Sequence, residues 1–415
     1  MIQFEKFTLD NGLTVIVHED RSSPMAVLNL LYKVGARNES PDKTGFAHLF
    51  EHLMFGGSKH VPLFDEPLQR VGGDNNAFTS NDITNYYITV PSVNLETAFW
   101  LESDRMLSLS FDPKVLEVQR SVVIEEFKQR YLNQPYGDVW LKLRPLAYEK
   151  HPYRWPTIGK EISHIEEATM DDVKDFFYKY YVPNNAVLVI AGDVNLEAVK
   201  ELSEKWFGPI PAGSPLDRTV EREPKQQRYK VLETEAEVPL DAFYLSFHMV
   251  ERSHHQYHST DLLSDILGRG KSSLLYKRLV EELQLFNSIS AYVGGSIDPG
   301  LLTIQGKLND GVLLDEAEKA VWSLIDEFKQ NGVSDEELDK VKNKAEFSQV
   351  FSDLELLNRA MNLAYAEMLG DAGFANQEID KIRAVRPKDI EQVAKEILTK
   401  ENASLLKYKA KKKSA

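Results

Sequence analysis

The chain contains no cysteine. That removes disulfide frameworks, thiolate nucleophiles and sulfur-ligated metals together, so any bound metal must rest on nitrogen and oxygen donors. No apolar run is long enough to cross a bilayer. The N-terminus MIQFEKFTLDNGLTVIV also lacks a basic segment followed by an apolar stretch and a small-residue cleavage site. The expectation is a cytoplasmic protein with no membrane association, or a periplasmic one whose signal peptide has been removed. Positive charge is in short supply: 49 Lys and Arg stand against 64 Asp and Glu, a formal net charge of −15. A nucleic-acid partner is disfavoured, because its phosphates would be repelled. The basic tail Lys409, Lys411, Lys412 and Lys413 reads as a solvated terminus and is given no role.

What is present is a globular composition, 42% hydrophobic and 27% charged. At 415 residues the chain exceeds one ordinary core and suits two domains of about 200 residues each. In GPIPAGSPLDRTVEREPKQQ, Pro209, Pro211, Pro215 and Pro224 break structure amid polar residues. The expected organisation is a first domain over 1–210, a linker over 211–228 and a second domain over 229–415. The first half opens with a hairpin turned at Asp10-Asn11-Gly12, then a strand from Ala26 to Val34 and one from Asn85 to Val90. Long helices follow, then a capped helix after Thr169, a buried strand from Ala186 to Ala191 and a helix from Leu196. The second half repeats this order with strands at LDAFYLSFHMV, Ser288 to Val293 and Leu301 to Lys307, and closes with Ser404 to Tyr408. Strands and helices mix without strict alternation, so the fold class is α+β.

Chemistry concentrates in TGFAHLFEHLMFGG. A helix here carries Phe46, Leu49, Phe50, Leu53 and Met54 as one apolar stripe, with His48, Glu51 and His52 on the opposite side. Thr44 is the expected N-cap and Gly56-Gly57 the stop, giving about three turns. Two His at i and i+4 can share one metal, and the intervening Glu can take a proton from water activated there, so HxxEH is a kit for hydrolysis. The plainer alternative is a solvated polar face. A third ligand has to come from elsewhere, and LEVQRSVVIEEFKQR offers it: Leu116, Val123, Ile124 and Phe127 form an apolar stripe with Glu126 at its flank and Glu125 pointing away. Gln119, seven residues before Glu126 on the same side, is placed to orient a ligand by a hydrogen bond.

HxxEH followed 74 residues later by the last Glu of RSVVIEE resembles the pitrilysin and insulinase family of inverted zincins, in particular its short branch similar to mitochondrial processing peptidase. LDNGLTVIVHED, GGDNNAFTSNDITNYYITV, HPYRWPTIG and VLVIAGDV also match, so the resemblance spans most of the chain. It implies a zinc endopeptidase binding one zinc ion per chain, held by His48, His52 and Glu126 with Glu51 as general base. A family Glu stands where this chain has Gln119. It further implies two homologous domains, each a mostly antiparallel sheet flanked by helices, forming half of a clamshell. Peptide substrate is expected to pair with an edge strand at Asn76, Ala77, Phe78 and Thr79; the alternative is that Asn75 and Asn76 make a turn after Gly72-Gly73. Self-sufficient members carry an Arg and a Tyr seven residues apart in the second domain, and SSLLYKRLVEELQLFNSI puts Val280 and Asn287 there. The expectation is therefore a heterodimer with a homologous subunit that lacks HxxEH and supplies that pair. The alternatives are a self-sufficient homodimer, a non-catalytic scaffold subunit, and a peptide-binding module without zinc.

Overall fold

The structure is a computed structural model and describes residues 1–411, so Lys412 and Lys413 of the basic tail lie outside the described residues. The strands are β1 (Glu5–Thr8), β2 (Thr14–Glu19), β3 (Met25–Tyr32), β4 (Asp74–Thr79), β5 (Thr84–Pro91), β6 (Ala186–Gly192), β7 (Lys230–Ala236), β8 (Ala242–His248), β9 (Phe286–Val293), β10 (Leu301–Leu308) and β11 (Ala403–Ala410). The helices that matter below are α1 (Phe46–Leu53), α2 (Leu95–Leu107), α3 (Pro113–Phe127), α4 (Val139–Ala147), α5 (Met170–Tyr180), α6 (Tyr257–Gly268) and α7 (Leu356–Leu369). No helix among the described residues is long and apolar enough to cross a membrane.

Two compact units emerge. Unit 1 comprises Met1–Gln129, Trp155–Glu221 and Val350–Glu378; unit 2 comprises Arg130–Arg154, Arg222–Gln349 and Ile379–Ala415. Each unit thus takes one segment from the opposite half of the sequence, an exchange that a single boundary at 211–228 does not describe.

Unit 1 is built on a sheet ordered β1-β2-β6-β3-β5-β4, in which β6 runs parallel to β2 and the other neighbours are antiparallel. The first hairpin turns where expected: Gly12 sits at φ +85°, which favours glycine, and a Cβ there would stand 2.8 Å from that of Asn184. The central strand β6, AVLVIAG, is buried along its whole length, as expected of a strand covered on both faces. One face presents Ile16, Val27, Leu31, Val187, Val189 and Ala191, and is covered by Ala360, Leu363 and Ala364 of α7.

Unit 2 has a sheet ordered β7-β11-β8-β10-β9, with β11 parallel to β7 and the rest antiparallel. Alternate residues of β8 serve two cores: Phe243, Leu245 and Phe247 pack with Leu262, Leu263 and Ile266 of α6, whereas Ala242 and Tyr244 pack with Val139 and Leu143 of α4.

Numbered within each unit from β2 and from β7, both sheets read first, fifth, second, fourth, third, with the same parallel pair. The duplication that is weak in the residues is therefore explicit in the topology: α+β, two equivalent domains.

Candidate metal centre

Helix α1 lies between β3 and β4 in the chain and turns its apolar stripe inward. Phe46, Leu49, Phe50, Leu53 and Met54 are all buried, and Phe50 stacks on Phe176 at 5.0 Å and on Tyr181 at 5.1 Å. Burial of a side chain the size of Phe50 contributes about 2 kcal/mol. Two details differ from the sequence reading. The helix spans eight residues rather than three turns, and its N-cap is Gly45, not Thr44. Gly45 adopts φ +89°, and a Cβ on it would stand 2.6 Å from the Ile158 carbonyl oxygen. Thr44 is engaged instead with His164, 2.9 Å from its Nδ1, and accepts the Lys160 N–H at 2.9 Å.

The polar face of α1 meets α3. Asp112 caps α3 by accepting the Lys114 N–H, with Pro113 at its first position. Leu116, Val123 and Phe127 are buried. Glu125 is exposed and paired with Lys128, while Glu126 is drawn in towards α1. Its Oε2 stands 3.6 Å from His48 Nε2 and 3.4 Å from His52 Nε2. One ligand atom from each of His48, His52 and Glu126 fits within 4.8 Å of the others, the one such group of His, Asp or Glu among the described residues. Donors about 2.0–2.1 Å from a tetrahedral zinc stand roughly 3.4 Å apart, so the two Glu126–His separations and this nitrogen and oxygen set suit zinc. Gln119 is half-buried on α3 and makes no side-chain hydrogen bond among the described residues.

Glu51 occupies a different environment. Burial pushes its carboxyl above the ordinary glutamate range, opposed by hydrogen bonds from Thr79 and by His52, while Glu126 adds to the rise. Thr79 Oγ1 donates to Glu51 Oε2 at 2.7 Å, and the Thr79 backbone contributes a further bond.

Thr79 ends β4, the outermost strand of its sheet on that side. Asn75 and Asn76 lie within this strand, not in a turn. The Ser80 N–H points inward to the Ile83 oxygen at 2.8 Å, so by strand alternation Asn76 and Phe78 point their amides to β5 while Ala77 and Thr79 point theirs outward. Two bonds agree with this parity: the Ala77 N–H goes to Asn76 Oδ1 at 2.8 Å, and the Thr79 backbone goes to Glu51. The segment Asn76 to Thr79 thus presents a backbone edge beside the metal helix. Sequence reasoning named Thr79 for that edge but missed its bond to Glu51, because a β4 to α1 contact leaves no mark in either element's periodicity.

In unit 2, Val280 is half-buried against the core in a π-helical turn, Tyr276–Glu282, and Asn287 is exposed on β9, the outermost strand.

Comparison with known proteins decides the lineage. The pattern described as "Insulinase (Peptidase family M16)" matches residues 14–159, and "Peptidase M16 inactive domain" matches residues 167–345. A "Zinc protease PqqE" of Helicobacter pylori is 34% identical over 352 residues, covering 83% of this chain and 79% of that one. The chain belongs to peptidase family M16. Among other relatives in the family, the probable mitochondrial-processing peptidase subunit beta of Schizosaccharomyces pombe is 25% identical over 95% of this chain and 88% of its own. A crystal structure of a protease from Helicobacter pylori superposes with a TM-score of 0.93 at 29% identity, covering 99% of this chain and all of that one. The M16 match to the motif-bearing half ends at residue 159, and the half matched as inactive lacks HxxEH.

Proposed function

We propose that this M16 chain is a zinc-dependent endopeptidase acting on peptides or unfolded segments within a closed chamber, as the metal-bearing subunit of a heterodimer. The observation that carries the reading is the convergence of His48, His52 and Glu126 beside a half-buried Glu51, supported by relatives named zinc proteases. Zinc held by those three side chains, one ion per chain, supplies Lewis acidity and makes water more acidic. Glu51 accepts the proton of the attacking water and delivers it to the leaving amine, its carboxylate held by Thr79 for that transfer. The outward carbonyls of β4, with the Ala77 amide exchanging its Asn76 Oδ1 partner for substrate, align the substrate main chain, which gives affinity with little demand on sequence.

Val280 and Asn287 motivate the partner. A half-buried hydrocarbon and an exposed amide supply neither cation nor phenol for the developing oxyanion, a stabilisation worth about 3 kcal/mol per donor in acyl-transfer enzymes. That a relative bears the words "subunit beta" favours a homologous second chain. A homodimer sufficient by itself is the second reading.

The deciding experiment is hydrolysis of a quenched-fluorescent peptide library by the zinc-loaded chain, with zinc content and solution mass recorded on the same sample. One zinc per chain with no cleavage until a homologous subunit is added is the expected result. Robust cleavage by the chain alone would transfer the proposal to the homodimer, and absence of stoichiometric zinc would end the metal reading.

A further inference from the structure

Helix α1 has an unusual beginning. Its N-cap is a glycine, so the residue that ordinarily closes the first turn with a side-chain oxygen has none to offer. Nor can that position be improved, because φ +89° and the 2.6 Å approach of the Ile158 carbonyl leave no room for a Cβ. The orphan amides must be met from another segment.

Glu39 meets them. It follows a short 3-10 turn, Ala36–Asn38, and is almost wholly buried. Its Oε2 accepts the Gly45 N–H at 2.9 Å and its Oε1 accepts the Ala47 N–H at 2.8 Å, with further hydrogen bonds from the Phe46 backbone and from Trp155. The Trp155 indole also donates to the Ala36 oxygen at 3.0 Å, which pins the turn that delivers Glu39. Both carboxyl oxygens are therefore committed to the first turn of an eight-residue helix whose next residue is His48.

We propose that Glu39 is a positioning residue for the metal helix, fixing the pitch and rotation of its first turn so that His48 meets His52 and Glu126 at zinc-binding distance. The inference rests on the metal reading above and deepens it. The argument is geometric: a helix this short has few backbone bonds of its own, and the amide immediately before His48 is held by Glu39 rather than by an earlier turn. Supporting hydrogen bonds of metal sites typically govern affinity by 10–100-fold.

The test is Glu39→Gln. The amide side chain is close to isosteric but replaces one acceptor with a donor, so it cannot accept both N–H groups. Zinc affinity is measured by chelator competition, with amide hydrogen exchange over 45–52 and thermal unfolding on the same protein. The expected result is a folded variant whose zinc affinity falls about tenfold or more. Exchange should rise in the first turn of α1 while the β3 and β6 amides stay protected. A role confined to stability would lower the melting point without moving the affinity of the folded protein, and that outcome overturns the proposal. Glu39→Asp, which keeps both oxygens but withdraws them by one methylene, is the second variant and is expected to weaken zinc as well. Collapse of both variants would assign Glu39 to global stability and also overturn the positioning role. Wild-type chain that binds no zinc would defeat the metal reading, whereas wild-type chain and Glu39→Gln binding it equally would defeat the role of Glu39 alone.

Discussion

Thr79 and Glu51, one at the end of the edge strand and the other in the metal helix, share a hydrogen bond of 2.7 Å. A strand proposed to hold substrate therefore also holds the proposed base, so docking and proton transfer are built on one rigid contact. Thr79→Val removes the hydroxyl while keeping the branched shape and the backbone bond. The expected outcome is a loss of kcat by roughly tenfold, the worth of one such hydrogen bond, with zinc content unchanged. Steady-state kinetics of the complex beside metal analysis would decide it; unaltered kcat would show that Glu51 needs no such support.

Glu51→Gln should retain zinc and lose nearly all turnover, because the amide cannot accept a proton. His52→Ala and Glu126→Gln should instead lose the metal, each removing one donor of the triad. Zinc quantified after dialysis separates the two behaviours. Full activity in Glu51→Gln would remove it from the mechanism.

Ala77→Pro is a clean probe of the edge. The Ala77 N–H points away from β5, so proline deletes no ladder hydrogen bond and the sheet should survive. Substrate that pairs with this edge loses a donor, and KM should rise severalfold. A folded variant with unchanged KM would mean that peptide does not pair at this position.

Helix α2 carries a buried ion pair. Arg105 Nε donates to Glu102 Oε2 at 2.7 Å, both side chains are almost fully sequestered, and the guanidinium sits 4.3 Å from the Tyr86 ring and 4.4 Å from that of Phe64. Arg105→Met leaves Glu102 buried without its cation, a change that costs about 3–5 kcal/mol. Denaturant unfolding should report a loss of that order, and a loss under about 1 kcal/mol would show the pair to be dispensable.

Burial pushes the Glu39 carboxyl up to about 8 from an ordinary 4.5, with the α1 amides pulling it back only in part. A raised carboxyl pKa means that the native chain holds a proton that the unfolded chain releases. The associated stability is complete below about 4.5 and is lost as pH climbs through about 8. Glu39→Gln cannot titrate. The melting-point advantage of wild type over this variant should therefore shrink between about pH 5 and pH 9, as scanning calorimetry at several pH values would show, and an advantage that grows with pH would contradict the assignment.

Where periodicity governs, the sequence predicted the structure well. The buried stripe of α1, the outward Glu125 and inward Glu126, the Asp10-Asn11-Gly12 hairpin and the Thr169 cap all follow from spacing and local preference, which act within one element. Thr44 illustrates the limit. By preference it is a better N-cap than glycine, yet packing of Gly45 against Ile158 sets the backbone there, and propensity yields to tertiary contact. Glu39 could not have been found by spacing, because its amides belong to a helix beyond an intervening loop. Glu126 reached the site through the resemblance to a family as much as through its helical position, since nothing in one helix's pattern says which other helix it will face.

The segment exchange between the two halves has a consequence for synthesis. The sheet of unit 1 lacks its central strand until the ribosome passes Gly192, and its face of Ile16, Val27, Leu31, Val187 and Val189 stays bare until α7 has been made. A nascent or truncated product ending near residue 210 would expose that apolar face to water and to its neighbours. The metal centre is encoded early, but the helix that covers this face of its sheet is translated late.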